Sequence, residues 1–284
     1  MTSLVCLMIA IACGVLINYQ VSFQASYPAS FQASYPAQVS LYAYLPNLMA
    51  FGIAVPLLLR SRWVASFARR HHFILAIAAL LAIGATLLFP GIDSVQRWLR
   101  IGPFALNAAM AFIPVVLLGI VFAESYRVLF LVGLPAFILV LQPDAGQATA
   151  FASAATVILI SESRLSNRLR WFSLLFVLIS WAMSWSRPDP LAPVAHVEGI
   201  LQLAWAQGIF SKTLVVLAIG AVFYPFLRKL IDTREPRRLV LVKCYLTYLI
   251  VTFAVTGIGN FPVPLIGAGA APVIGWCLAL AFCD

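Results

Sequence analysis

The chain has 284 residues, 63% of them apolar and 10% charged, with 18 Lys and Arg against 9 Asp and Glu. Water-soluble domains are roughly 45–50% apolar and about 25% charged, so a single soluble core is excluded. The net charge of +9 falls in short loops between apolar runs, which argues against a nucleic-acid groove and for a membrane topology signal in contact with anionic headgroups.

A helix needs about 20 mostly apolar residues to cross the hydrocarbon layer. Spans are therefore predicted at 3–19, 41–59, 73–90, 104–123, 126–141, 145–160, 171–186, 212–230, 239–258 and 265–282. The 126–160 region also fits one re-entrant pair. The expected fold is all-α, a polytopic bundle of about ten transmembrane helices, with residues 1–284 forming one domain. With the N-terminus in the cytoplasm, the basic residues of 60–70, 127, 164–170, 228–238 and 243 share one side of the membrane. Only Arg97, Arg100, Arg187 and Lys212 fall on the other. Lys and Arg concentrate in cytoplasmic loops, so both termini are expected there. The first apolar run has no basic n-region and reads as a retained span. Cys6, Cys13, Cys244, Cys277 and Cys283 lie in or beside spans without metal-ligand spacing, and read as small apolar residues.

Two extracytoplasmic loops are long. The loop at about 20–40 contains an eight-residue tandem repeat, Ser22–Ala29 followed by Ser30–Ala37, with too much proline for a helix. The loop at 187–211 carries Arg187, Asp189, His196 and Glu198. Pro188, Pro190 and Pro193 extend its start, and a short interfacial helix is expected over 198–207.

Charges within spans are costly and rare. Asp144, in Leu141-Gln142-Pro143-Asp144-Ala145-Gly146, is predicted at the outer start of the sixth span. A proline suits the first helical turn, and an acid there gains from the helix dipole, which is a sufficient structural reason for both residues. Ahead of the fourth span stands Arg97-Trp98-Leu99-Arg100-Ile101-Gly102-Pro103. Arginines three apart share one face of a helical turn, and their forked donors suit a pyrophosphate. Phe261–Pro272 combines three prolines with small residues, so it is not regular helix throughout and is expected to face the bundle centre, beside a cavity.

Three of these segments resemble motifs of the SEDS family (shape, elongation, division and sporulation). Arg97-Trp98 resembles that family's Arg-Trp motif, Gln142-Pro143-Asp144-Ala145-Gly146 its Gln-Pro-Asp-x-Gly-Thr, and Pro262-Val263-Pro264-Leu265-Ile266 its Pro-Leu-Pro-Phe-Ile. Order, spacing and membrane side also fit. The resemblance implies a glycosyltransferase of the bacterial cytoplasmic membrane that polymerises lipid II-type lipid-linked saccharide at its outer face, in division or cell-shape maintenance. The implied partner is a class B penicillin-binding protein. Asp144 would be the catalytic carboxylate, acting as general base, with Arg97, Arg100, Gln142, Glu198 and Gln202 binding substrate. The cofactor is unknown; a divalent cation is possible by resemblance only, and the chain has no metal-ligand cluster.

The chain also departs from that pattern. Ala108-Ala109-Met110 and Ile113 replace the family's Pro-Ser-Glu and its lysine, Gln147 replaces a threonine, and Gly267-Ala268-Gly269-Ala270-Ala271 replaces Ser-Tyr-Gly-Gly-Ser. These changes raise two alternatives: a catalytically degenerate scaffold, or a protein that binds or flips the lipid-linked precursor.

Overall fold

The computed structural model describes residues 2–23, 41–102, 104–187 and 189–284. Within them run α1 (Thr2–Phe23), α2 (Leu45–Leu59), α3 (Ser61–Arg70), α4 (His72–Ala85), β1 (Trp98–Ile101), β2 (Phe104–Asn107), α5 (Ala108–Phe122), α6 (Ser125–Leu141), α7 (Ala145–Ser161), α8 (Asn167–Trp185), α9 (Ile200–Ala206), α10 (Ile209–Asp232), α11 (Pro236–Val255) and α12 (Ala270–Phe282). The tandem repeat from residue 24 onward, the rest of its loop through residue 40, Pro103 and Pro188 lie outside the described residues.

Each predicted span falls on a helix, and the fold is a polytopic helical bundle. Four helical stretches among the described residues are long and apolar enough to cross a membrane alone, or five if α3 and α4 count as one span bent by 91°. The apolar helices α5, α6, α7 and α12 have only 13 to 17 residues. At 1.5 Å per residue they fall short of a bilayer core of about 30 Å. Non-helical segments precede α5 and α12 at the end carrying Asp144.

Local chemistry sets the helix starts. Asn107, Asp144 and Ser166 accept the N–H of Met110, Gln147 and Leu169, capping α5, α7 and α8. Glu235 caps α11 ahead of Pro236. Each such cap satisfies a backbone donor that the helix leaves free. Helix α5 is the central post, buried from Ala108 to Val121 except at Phe112. Such all-round apolarity suits a helix enclosed by others.

Close packing depends on particular glycines. A β-carbon on Gly275 would stand 2.1 Å from the Met110 carbonyl oxygen, and one on Gly14 2.1 Å from that of Ile266. Gly275→Ala should force α12 off α5 and cost about 1–3 kcal/mol by overpacking, seen as a lower thermal midpoint of the detergent-solubilised chain.

The bundle has two chemically distinct ends. Ser211, at the start of α10, hydrogen-bonds Gln20 near the end of α1 at 2.5 Å, so the two helices run antiparallel. Lys229 pairs with Asp284, and Arg238 donates to the Cys283 carbonyl. Both chain ends thus lie with α3 and the α10–α11 turn, among the clustered basic residues. The opposite end holds the hairpin, the α6–α7 turn, the 186–208 segment and the 256–269 segment.

Two expectations are corrected here. Residues 104–107 are strand, because β1 and β2 pair from Trp98↔Asn107 to Ile101↔Phe104 about Gly102, whose φ of +57° suits glycine. The last helix begins at Ala270 and not at 265. The proline-rich segment before it is non-helical and buried from Val263 to Ala268, as its composition implied. Its backbone is braced by Asn47, bonded to Gly267 O and Gly269 N, and by Tyr44, bonded to Ile266 O.

Candidate functional site

Asp144 sits at the start of α7 with 2% of its surface exposed. One carboxylate oxygen, Oδ1, accepts the Gln147 N–H at 3.1 Å and so caps the helix. The other, Oδ2, is buried with no hydrogen-bond partner. Its nearest opposite charge is Arg97 Nε at 3.5 Å, an ion pair too long for a good hydrogen bond. A β-carbon on Gly146 would stand 2.5 Å from the Phe261 ring. The glycine therefore lets that ring close on the first turn and fix the carboxylate's position.

Arg97 immediately precedes β1 and is 4% exposed. Its Nη2 donates to Asp189 Oδ2 at 2.7 Å and also to the Pro143 carbonyl. Asp189 is itself positioned, since its Oδ1 accepts the Leu191 N–H at 3.2 Å. One guanidinium thus serves two acids: Nη2 grips Asp189, while the unpartnered Nε faces Asp144. Asp189 is the functional neighbour that motif reading left out. Its signal was an acid between two prolines in the longer described outer loop.

Arg100 does not join this group. Side chains alternate across a strand, so positions three apart face opposite ways, whereas on a helical turn they would have faced together. Arg100 pairs in register with Ala105 and is exposed. The shared-face reading of Arg97 and Arg100 is thereby corrected, because Gly102 closes a hairpin where a helical turn was expected.

Gln142 is fully buried. Its amide donates to Ile83 O at 2.8 Å and Thr86 Oγ1 at 2.6 Å, tying the end of α6 to the end of α4. The amide nitrogen thus acts as a tether, while its Oε1 is buried without a hydrogen-bond partner. Gln202 is exposed on α9, and its amide reaches only the carbonyls of Glu198 and Gly199 in its own turn. Gln147, where the family motif has threonine, accepts the Tyr248 hydroxyl at 2.5 Å inside the bundle.

Glu198 lies within electrostatic reach of Arg97 and Asp189, and accepts the Val194 N–H at 2.8 Å. Burial raises its carboxyl above the ordinary carboxylate range, against the opposing pull of that N–H and of Arg97. A carboxyl raised in the fold stabilises it fully below its unfolded value, about 4.3, and loses that contribution as pH rises through the folded value. Burial lowers His196 beside it, and its contribution has the opposite slope, lost as pH falls below about 6.5. The difference between wild type and Glu198→Gln isolates the first effect. Hydrogen exchange of residues 194–199 should quicken from pH 4 upward in wild type relative to the variant, beyond the intrinsic rate. Identical pH profiles would remove Glu198 from this group.

The central void between α5, α11, α12 and the proline-rich segment, lined by Met110, Tyr248, Thr252 and Pro264 among others, measures about 20 Å³. That is room for one water, and Pro264 and Pro272 of the proline-rich segment border it. Nor do the acids form a cation cage. Arg97 stands between Asp144 and Asp189, and no group of three or more His, Cys, Asp or Glu suited to a metal occurs among the described residues. The donor set does not fit a resident divalent cation.

No protein-family model matches the chain, and no curated protein matches it in sequence. Solved structures do. A variant of the rod shape determining protein RodA from Thermus thermophilus superposes with a TM-score of 0.64 at 18% identity, over 97% of this chain and 94% of that one. The chain has the RodA fold. The RodA structure from the same organism gives a TM-score of 0.58 at 17% identity, over 97% and 93%. A chain from a peptidoglycan synthase complex, described as coordinating polymerization and crosslinking, gives 0.63 at 18%, over 97% and 96%. The likeness spans the whole bundle, including the first two helices, where the sequence motifs had offered only hydropathy.

Proposed function

We propose that this protein is a divergent SEDS-family glycosyltransferase that extends glycan from a lipid II-type, lipid-linked saccharide at the outer face of the bacterial cytoplasmic membrane. The observation that carries this reading is Asp144 at the end of a RodA-fold bundle poor in basic residues, held by its helix cap with one carboxylate oxygen unpaired. In the proposed reaction that oxygen takes the proton of the acceptor sugar hydroxyl as the hydroxyl oxygen attacks the lipid-linked anomeric carbon. The bond to the lipid pyrophosphate breaks, and Arg97 neutralises the departing charge.

The enclosed geometry adds a requirement. Arg97 is held over Asp144 by Asp189, so entry of the acceptor needs that pair to part. An incoming pyrophosphate competes with Asp189 for the guanidinium and supplies a reason for it to move. The basic end then faces the cytoplasm, with both termini. A partner of the class B penicillin-binding type would crosslink the product.

A second reading, a scaffold that has kept the bundle without catalysis, draws support from Ile113, where the family has a lysine. Purified chain incubated with labelled lipid II decides between the two. Polymer made by wild type and not by Asp144→Asn supports the enzyme; equal polymer from both rejects the role of Asp144. No polymer from wild type, combined with a cellular phenotype on deletion that Asp144→Asn does not reproduce, favours the scaffold.

A further inference from the structure

At the end of the bundle opposite Asp144, the ten-residue helix α3 turns 91° away from α4. A helix at right angles to a spanning helix lies along the membrane surface. Its residues divide into three adjacent arcs on a helical wheel. Arg62, Ser66, Arg69 and Arg70 form a polar arc; Trp63 and Phe67 follow, exposed, their rings stacked with centroids 5.5 Å apart. Val64, Ala65 and Ala68 form the third arc, buried against α12.

Beneath the aromatic arc opens a groove of about 500 Å³ between α2, α3, α4, α5 and α12. Its lining includes Leu57, Phe67, Leu75, Ala79, Phe112 and Leu278 and is apolar throughout. Its size is within the range of about 300–1,000 Å³ usual for small-molecule sites. Among the described residues Arg60, Arg62 and Arg70 take part in no ion pair or side-chain hydrogen bond. Unpaired guanidiniums thus stand on the same short helix, and at its start, as the residues that roof a slot suited to hydrocarbon.

We infer that α3 and this groove form a binding site for an anionic phospholipid of the leaflet at the basic end. One acyl chain fills the groove past Trp63 and Phe67, and the headgroup phosphate lies on the α3 arginines. Charge complementarity selects the occupant. A neutral lipid or an uncharged protein helix would fill the slot but leave the guanidiniums without a counter-charge, whereas a phosphate matches their forked donors. This site is separate from the one around Asp144 and does not depend on the proposed reaction.

The test uses the full chain reconstituted in phosphatidylcholine vesicles holding a minority of phosphatidylglycerol, with bromine on the acyl chains of one lipid at a time. The Trp63 signal is the fluorescence difference between wild type and Trp63→Phe. Brominated phosphatidylglycerol should quench it well beyond its share of the bilayer. Arg62→Gln and Arg70→Gln should each reduce that preference roughly fivefold. Ala78→Phe, which places a ring in the groove from an exposed position, should abolish the preference while the arginines remain. Quenching in proportion to abundance for both lipids, or a preference unchanged in the arginine variants, overturns the proposal. Quenching by neither lipid also overturns it, because protein then covers the groove.

Discussion

Asp144→Asn should lower polymerisation of a lipid-linked disaccharide by about 10²–10⁴-fold, the usual contribution of a general base, while the bundle stays folded. Asparagine caps a helix about as well as aspartate, so the bond from Gln147 N–H has an acceptor in the variant. Arg97 retains Asp189 and the Pro143 carbonyl as partners. The thermal midpoint should therefore move little, and the loss would belong to chemistry. Asp144→Ala is the less discriminating choice, since it removes the cap too, at about 1 kcal/mol. Glycan chain length and the thermal midpoint, measured on the same preparation, separate the two effects. A folded Asp144→Asn protein that polymerises at the wild-type rate would exclude the carboxylate from the reaction.

Arg97→Ala should be the most destabilising single change at this site. It leaves Asp144 and Asp189 near one another without their shared counter-charge, and deleting one partner of a buried pair typically costs about 3–5 kcal/mol. Asp189 is 20% exposed in its side chain, so water takes up part of that cost and the lower end of the range is expected. Arg97→Lys should not restore the wild type. An ammonium on a flexible stem cannot reach Asp189, Asp144 and the Pro143 carbonyl as a planar fork does. The double variant Arg97→Ala/Asp189→Asn should recover part of the loss, and the coupling from a double-mutant cycle reports that bond directly. Coupling near zero would show that the Arg97–Asp189 contact contributes nothing in the membrane-extracted protein.

How far each residue could be read from the sequence depended on the range of the interaction that places it. Asp144 was legible because Pro143, a capping acid and the following small residues act within one helical turn. The proline-rich segment from Phe261 was legible as non-helical for the same reason, and its burial followed from the cost of bare backbone in hydrocarbon. Arg100 was misread, since a hairpin and a helical turn differ through Gly102's positive φ, which the run Leu99–Leu106 does not announce. The tethering by Gln142 was not legible because its partners, Ile83 and Thr86, lie more than fifty residues away. The pairing of Asp189 with Arg97 was not legible because nothing in its own loop reveals that Arg97 lies beside it.

The sequence by itself determined that the chain is a membrane bundle, the approximate course of its spanning helices, and that its basic residues gather at one end. Those features follow from hydrophobic length, caps and loop charge, which act locally or depend only on composition. Tertiary structure alone decided that Arg97 turns inward while Arg100 stays out, that Asp144 and Asp189 compete for one guanidinium, and that α3 lies flat over an apolar slot. These are contacts between segments distant in the chain, created by helix packing and strand register, and no local pattern encodes them.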